Sequence, residues 1–171
     1  MLDSPIMKIL VSVIMGSRSD WGVMEHAIKT LESLDISHDV RILSAHRTPE
    51  ALTTYMAEAE DSGTAVFIGA AGGAAHLAGV MAAQTALPVL GVPMESKLQG
   101  FDSLLSMVQM PAGIPVATFA VGKAGAVNAA LFSAAILAAT HPAIGEALKA
   151  FRQAQSEKIL ADPDPRRPPP A

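Results

Sequence analysis

The 171-residue chain contains no cysteine, which excludes disulfides, thiolate metal sites and a cysteine nucleophile together. Aromatic residues are scarce, one Trp, one Tyr and five Phe, so platforms for stacking bases are few. Positive charge is in short supply too. The formal net charge is −4, whereas a protein that neutralises phosphate backbones carries a basic face; nucleic acid is not the expected partner. Nor is there a convincing membrane span. Pro88 and Pro93 interrupt the apolar stretch 77–94, and 124–140 is mostly alanine with Asn128 and Ser133. The opening "MLDSPIMKILVSVIMGS" is short, ends in a polar loop and lacks a small-residue cleavage pattern, so it reads as a first strand rather than a signal segment. The expectation is a soluble, cytoplasmic protein.

Apolar residues, by contrast, are plentiful. Half the chain is hydrophobic and only 16% is charged, more apolar surface than a solitary domain of this size needs for its own core. Part of it is expected to lie against other subunits.

The chain alternates strand-like and helix-like segments. "KILVSVIM" is followed by the turn cluster "GSRSD", after which Trp21, Met24, Ile28 and Leu31 recur at helical spacing. "HDVRIL" is a second strand. Thr48 then reads as an N-cap, Pro49 as the first helical residue and Glu50 as a first-turn acid, with Gly63 at the stop. "TAVFIG" lacks polar alternation, as a strand covered on both faces should. A small-residue helix to about Ala86, a strand "LPVLGVP", a helix "FDSLLSMVQM", a strand "IPVATFAV" and an Ala-rich helix 123–140 follow. That last helix is apolar nearly all round, which predicts full burial and an inter-subunit contact. The order implies right-handed βαβ crossovers. The predicted fold is α/β, a flavodoxin-like three-layer αβα sandwich with a central parallel sheet and a C-terminal helix over 142–160. One domain over 1–161 is expected, with 162–171 a Pro-rich tail.

Ligands of an open parallel sheet bind beyond the carboxyl ends of its strands. "GSRSD", "SAHRTP", "AAGGAAH", "VPMESK" and "VGKAGAVN" each follow a strand and are predicted to share that edge. Gly16 permits close backbone approach, and Ser17, Ser19 and the amides of a helix start suit a phosphate or sugar hydroxyl, although a plain helix cap explains Ser19 and Asp20 equally well. His46 can exchange protons near neutrality and Arg47 can clamp an anion. Gly72, Gly73, Ala74, Ala75 and His76 look like a backbone cradle, yet they match neither a P-loop nor a dinucleotide fingerprint, and tight helix–sheet packing explains them too. Glu95, Lys97 and Asp102 could reach the edge, but solvation accounts for charges in loops at least as well. No two histidines have a zinc-ligand spacing with a third partner, so no metal is predicted.

Taken together, "VIMGSRSDW", "SAHRTPE", "GGAAHLAG", "PVLGVP", "DSLLSMVQMPAGIPVAT" and "GKAGAVNAAL", with the closing "DPDPR", closely resemble the PurE family of purine biosynthesis from about Ile9 to Pro165. Three departures stand out: His76-Leu77-Ala78-Gly79 where "HLPG" is usual, Pro115-Val116-Ala117-Thr118 where "PVGT" is usual, and "ESKLQGFD", one residue shorter than the common form.

The resemblance implies an isomerase, a mutase that converts N5-carboxyaminoimidazole ribonucleotide (N5-CAIR) to 4-carboxyaminoimidazole ribonucleotide (CAIR). It implies no metal, no organic cofactor, CO2 as an intermediate, and a homo-octamer with sites near subunit interfaces. By motif, His46 is the general acid/base. Gly16, Ser17, Asp20, Ser44, Ala45 and Arg47 contact the substrate, Gly72, Gly73, Ala74, Ala75, His76 and Leu77 line the pocket, and Met110 faces a neighbouring subunit's site. Two other readings stay open at this point: a carboxylase acting on aminoimidazole ribonucleotide (AIR) and CO2, and a non-catalytic flavodoxin-like nucleotide-binding module. A flavin carrier fits poorly with so few aromatics.

Overall fold

The computed structural model describes residues 8–166. Five strands, β1 (Val11–Met15), β2 (His38–Ile42), β3 (Val66–Ala71), β4 (Val89–Pro93) and β5 (Ala117–Thr118), pair in the order β2-β1-β3-β4-β5, every pairing parallel. Six α-helices connect and follow them: α1 (Trp21–Ser33), α2 (Pro49–Asp61), α3 (Leu77–Ala82), α4 (Phe101–Val108), α5 (Lys123–Leu137) and α6 (Pro142–Ala161). A single 3-10 turn, Arg18–Asp20, precedes α1. The chain leaves β1 to one side for β2, then crosses back for β3. The switch point between β1 and β3 is where such a sheet opens a crevice.

Alternation along the strands divides the core in two. Val11, Val13 and Met15 of β1, with Val66, Ile68 and Ala70 of β3, face α1, α5 and the first half of α6. Ile14, Phe67 and Ala71 face α2, α3 and α4. This is the three-layer sandwich expected, and β1, β3 and β4 are buried throughout, as strands covered on both faces must be. Helix α3 packs on the sheet where two strands carry glycine. A Cβ added at Gly69 would stand 2.9 Å from Met81 Sδ, and one at Gly91 3.4 Å from Ala78 Cβ. Gly69 thus makes room for α3, and Gly91, where a Cβ would stand 3.0 Å from both Met107 Sδ and Val116 Cγ1, makes room chiefly for α4 and the segment before β5.

Several boundaries differ from the sequence pattern. Helix α3 stops at Ala82 rather than near Ala86. There Thr85 Oγ1 accepts from Leu87 N (3.0 Å) and donates to Glu60 (2.6 Å), so its hydroxyl competes with a further helical turn. Helix α4 ends at Val108, ahead of Met110, because the residue before Pro111 is pushed out of the α region. Strand β5 shrinks to Ala117–Thr118; Pro115 donates no ladder hydrogen bond, and nothing pairs with the outer edge of β5 among the described residues. Helix α5 is not fully buried. Gly125, Ala126, Ala129, Ala130, Ser133, Ala134 and Leu137 face inward, while Phe132 stays 46% exposed. The tail positions 167–171 lie outside the described residues.

Candidate active site

The carboxyl ends of β1, β2, β3 and β4 open on one cavity of about 500 Å³. Its corner residues come from successive loops. Gly16 continues β1, its amide still donating to Ala70 O of β3 at 3.0 Å. Ser17 caps the turn behind it, its Oγ accepting from Ser19 N (3.3 Å) and Ser19 Oγ (2.8 Å).

The loop after β2 folds on itself. Thr48 N and Oγ1 both donate to Ser44 O (2.9 and 3.2 Å), and Ser44 N donates back to Thr48 Oγ1 (2.9 Å). Thr48 therefore does not cap α2 with its side chain, as its position before Pro49 suggested. The hydroxyl is already engaged in closing the loop, so it is not available to the amides of the first helical turn. Ser44 Oγ in turn accepts from Arg47 N (3.2 Å) and Nε (3.3 Å), and Arg47 Nη2 donates to Gly16 O (2.7 Å). One guanidinium thus ties the β2 loop to the β1 loop and fixes His46 between them.

His46 Nε2 lies 2.9 Å from His76 Nδ1, the rings edge to face with centroids 5.0 Å apart. Such a contact requires one nitrogen to carry a hydrogen and the other a lone pair, so the tautomer of one ring fixes the role of the other. The place of His76 beside His46 follows from the glycine corner. Gly73 adopts φ +67, a left-handed conformation natural to glycine, and the chain doubles back to bring His76 N within 2.8 Å of Ala74 O.

Of the residues singled out from sequence, Gly16, Ser17, Asp20, Ser44, Ala45, His46, Arg47, Gly72, Gly73, Ala74 and Leu77 line the cavity. Ala75 does not. It is completely buried in the core under α2 and α3, because the turn that exposes Ala74 points the next side chain inward. Met110 lies away from the cavity, its Sδ against Gly79 of α3, and no residue of 121–128 reaches the cavity either. Ser19, Ala71, Glu95, Ser96, Lys97 and Asp102 complete the lining. The charged three had been weighed against plain solvation, and the signal in their favour was their place just after β4. Asp102 accepts from the Ser96 hydroxyl, which holds its carboxyl below the usual range.

Among the described residues no group of three His, Asp or Glu side chains could hold a metal ion, and no helix is long and apolar enough to cross a membrane.

A family model described as AIR carboxylase matches residues 10–158. The chain belongs to the AIR carboxylase family. Within that family it is 60% identical, over 94% of its own length and 99% of the relative's, to an N5-carboxyaminoimidazole ribonucleotide mutase of Pseudomonas aeruginosa. It is 52% identical to the Escherichia coli K12 protein of the same name, over 91% and 93% of the two chains. The crystal structure of Treponema denticola PurE superposes with a TM-score of 0.82 at 29% identity, covering 92% of this chain and 99% of that one.

One carboxylate of this AIR carboxylase family site has a distinctive environment. Burial raises the Asp20 carboxyl above its ordinary value, opposed by the Ser19 hydroxyl, the Ser17 backbone and Arg47. A carboxyl raised by folding stabilises the fold at pH below its unfolded value, and that contribution disappears as pH climbs through the raised folded value. Asp20→Asn has no proton to lose there. The melting temperature of the variant, relative to the parent, should rise across the carboxylate range and then level off; a difference that does not change with pH would refute this.

Proposed function

We infer that this chain is an N5-CAIR mutase, converting N5-CAIR to CAIR in purine biosynthesis, with His46 as general acid/base. The observation that carries this reading is an imidazole held by its loop in the lining of a carboxyl-edge cavity, in a chain 60% identical over 94% of its length to a protein of that name.

In the proposed reaction the carbamate N–C bond breaks, CO2 leaves, and the exocyclic nitrogen takes a proton from His46. The ring carbon C4 then attacks the retained CO2. His46, now neutral, removes the C4 proton and restores aromaticity, so the proton given in the first step is recovered in the second. An imidazole suits this because it can both give and take a proton near neutral pH. CO2 must stay put between the steps, which favours a site shielded from water. Gly16, Ser17, Asp20, Ser44 and Ala45 would contact the ribonucleotide. Among the described residues one guanidinium nitrogen of Arg47 has no hydrogen bond, and this would hold a phosphate or carboxylate. The Gly72, Gly73, Ala74 and Leu77 wall would enclose the ring. His76 would act through His46.

The working form in this reading is a cytoplasmic homo-octamer of one-domain subunits spanning residues 1–161. The outward face of α5, with Phe132, and the exposed α4 side chains Phe101, Leu105 and Val108 supply the apolar area such an assembly would cover, and Met110 would lie toward a neighbour's site. Supplying purified protein with N5-CAIR, or with AIR and bicarbonate, tests the activity. Conversion of N5-CAIR should be the faster; faster turnover of AIR with bicarbonate would overturn the mutase assignment.

A further inference from the structure

The first turn of α4 takes no part in the chemistry above, yet it holds two walls of the cavity. Asp102 Oδ1 accepts from Ser96 Oγ and from Ser103 N (2.9 Å). Ser96 Oγ also accepts from Leu98 N (3.2 Å) and Gly100 N (3.3 Å). This closes a tight loop over 96–100 in which Gln99 has φ 55 and Gly100 φ 85. A non-glycine residue in that left-handed region carries strain unless its surroundings hold it. Asp102 therefore anchors the hydroxyl around which a strained loop is wound, and that loop presents Ser96 and Lys97 to the cavity.

The next side chain reaches the other wall. Ser103, with no solvent exposure, accepts from Gly73 N through its Oγ at 2.9 Å. One turn later Ser106 Oγ lies 2.7 Å from Asp102 O and 3.4 Å from Gly73 O. Gly73 is the left-handed corner from which the chain turns to His76, and so to His46. The two walls also touch each other, since a Cβ on Gly72 would come within 3.3 Å of Met94 Cβ and 3.4 Å of Glu95 O.

We propose that Asp102 and Ser103 are positioning residues of the mutase site, Asp102 fixing the 96–100 loop through Ser96 and Ser103 fixing the His76 corner through Gly73. This rests on the mutase reading above. Groups that hold a site to within a fraction of an ångström matter to rate, because a misplacement of about 1 Å can cost on the order of 100-fold.

The two residues should fail differently. Asp102→Ala releases a wall of the cavity away from His46, so KM for N5-CAIR rises about 10-fold with kcat little changed. Asp102→Asn keeps an oxygen that accepts from Ser96 and restores KM to within about 3-fold of the parent. Ser96→Ala combined with Asp102→Ala is no worse than Asp102→Ala alone, since both break one connection. Ser103→Ala instead shifts the corner behind His46 and lowers kcat about 10-fold.

The parent protein is assayed first with N5-CAIR. A parent that does not convert it defeats the mutase reading itself. With an active parent, the positioning role is overturned if Asp102→Ala and Ser103→Ala leave kcat and KM within 2-fold while only lowering the melting temperature, or if the Ser96 and Asp102 effects simply multiply. Should Asp102→Ala not fold, Ser96→Ala alone carries the test: it must raise KM by as much.

Discussion

His46→Asn should lower the rate of CAIR formation by about 10²- to 10⁴-fold, the range a positioned general acid/base contributes. Asparagine is close in shape and can still hydrogen-bond to the Nδ1 of His76, but its amide neither takes up nor releases a proton near neutral pH. Stability should hardly change. His46 is exposed, and its loop is closed by Ser44, Arg47 and Thr48 without the imidazole; exposed substitutions of this kind move stability by about 0.5 kcal/mol or less. Binding should survive as well, since Arg47 and the Gly16 corner are untouched. Steady-state turnover, titration calorimetry with CAIR and a thermal melt on one preparation separate the three effects. A variant that keeps a tenth or more of the parental turnover would remove His46 from the proton-transfer role. A variant that melts early would show only that the loop needs its histidine.

The sequence carried the fold well because periodicity and topology agree. Strands without polar alternation are favoured where both faces are covered, and strands alternating with helices favour parallel pairing, which leaves few sheets to choose from. The site was legible for a related reason: a parallel sheet gathers its carboxyl-end loops, so chemistry-bearing residues after β1, β2, β3 and β4 had to converge. Hydrogen-bond competition was not legible. Whether Thr48 serves the helix or the loop depends on Ser44, four residues back, and both choices suit the same sequence. The inward turn of Ala75 depends on the left-handed Gly73, whose partner Ser103 lies 30 residues away. Acidic and basic residues in loops read as solvated whenever their partner is invisible, and for Asp102 that partner is Ser96, on the far side of a turn that no periodicity marks. Glycine was the other ambiguity, since "VGKAGAVN" looks as ready to cradle a ligand as "AAGGAAH" does.

Of the two glycines in that fifth stretch, Gly122 sits at φ +75 with open space around it and Gly125 serves packing, as Gly125→Ala should show. A Cβ on Gly125 would lie 1.8 Å from Ala120 O, 2.8 Å from Ala120 C and 3.3 Å from Ala120 N. Every one of these is backbone, so no rotamer change relieves the overlap; α5 or the segment after β5 has to move. Gly122 N donates to Pro93 O (2.9 Å) and Ala126 N to Gly122 O (3.1 Å), so either movement disturbs the seam where β4 meets α5. Overpacking of a well-filled interior costs about 1–3 kcal/mol and at times more, and a backbone overlap this deep belongs at the upper end. Against it stands the gain of about 0.5–1 kcal/mol from replacing a helical glycine with alanine. The net loss is then about 2 kcal/mol, and at about 2–4 °C per kcal/mol for a chain of this size the melting temperature should fall by about 4–8 °C. Gly22→Ala is the control. It lies in the first turn of α1 with nothing within 4 Å of the added Cβ, so the helical gain is unopposed and the melting temperature should hold or rise. Opposite signs at two helical glycines locate the effect in the Ala120 contact; equal shifts would place it in helix propensity and refute the packing role.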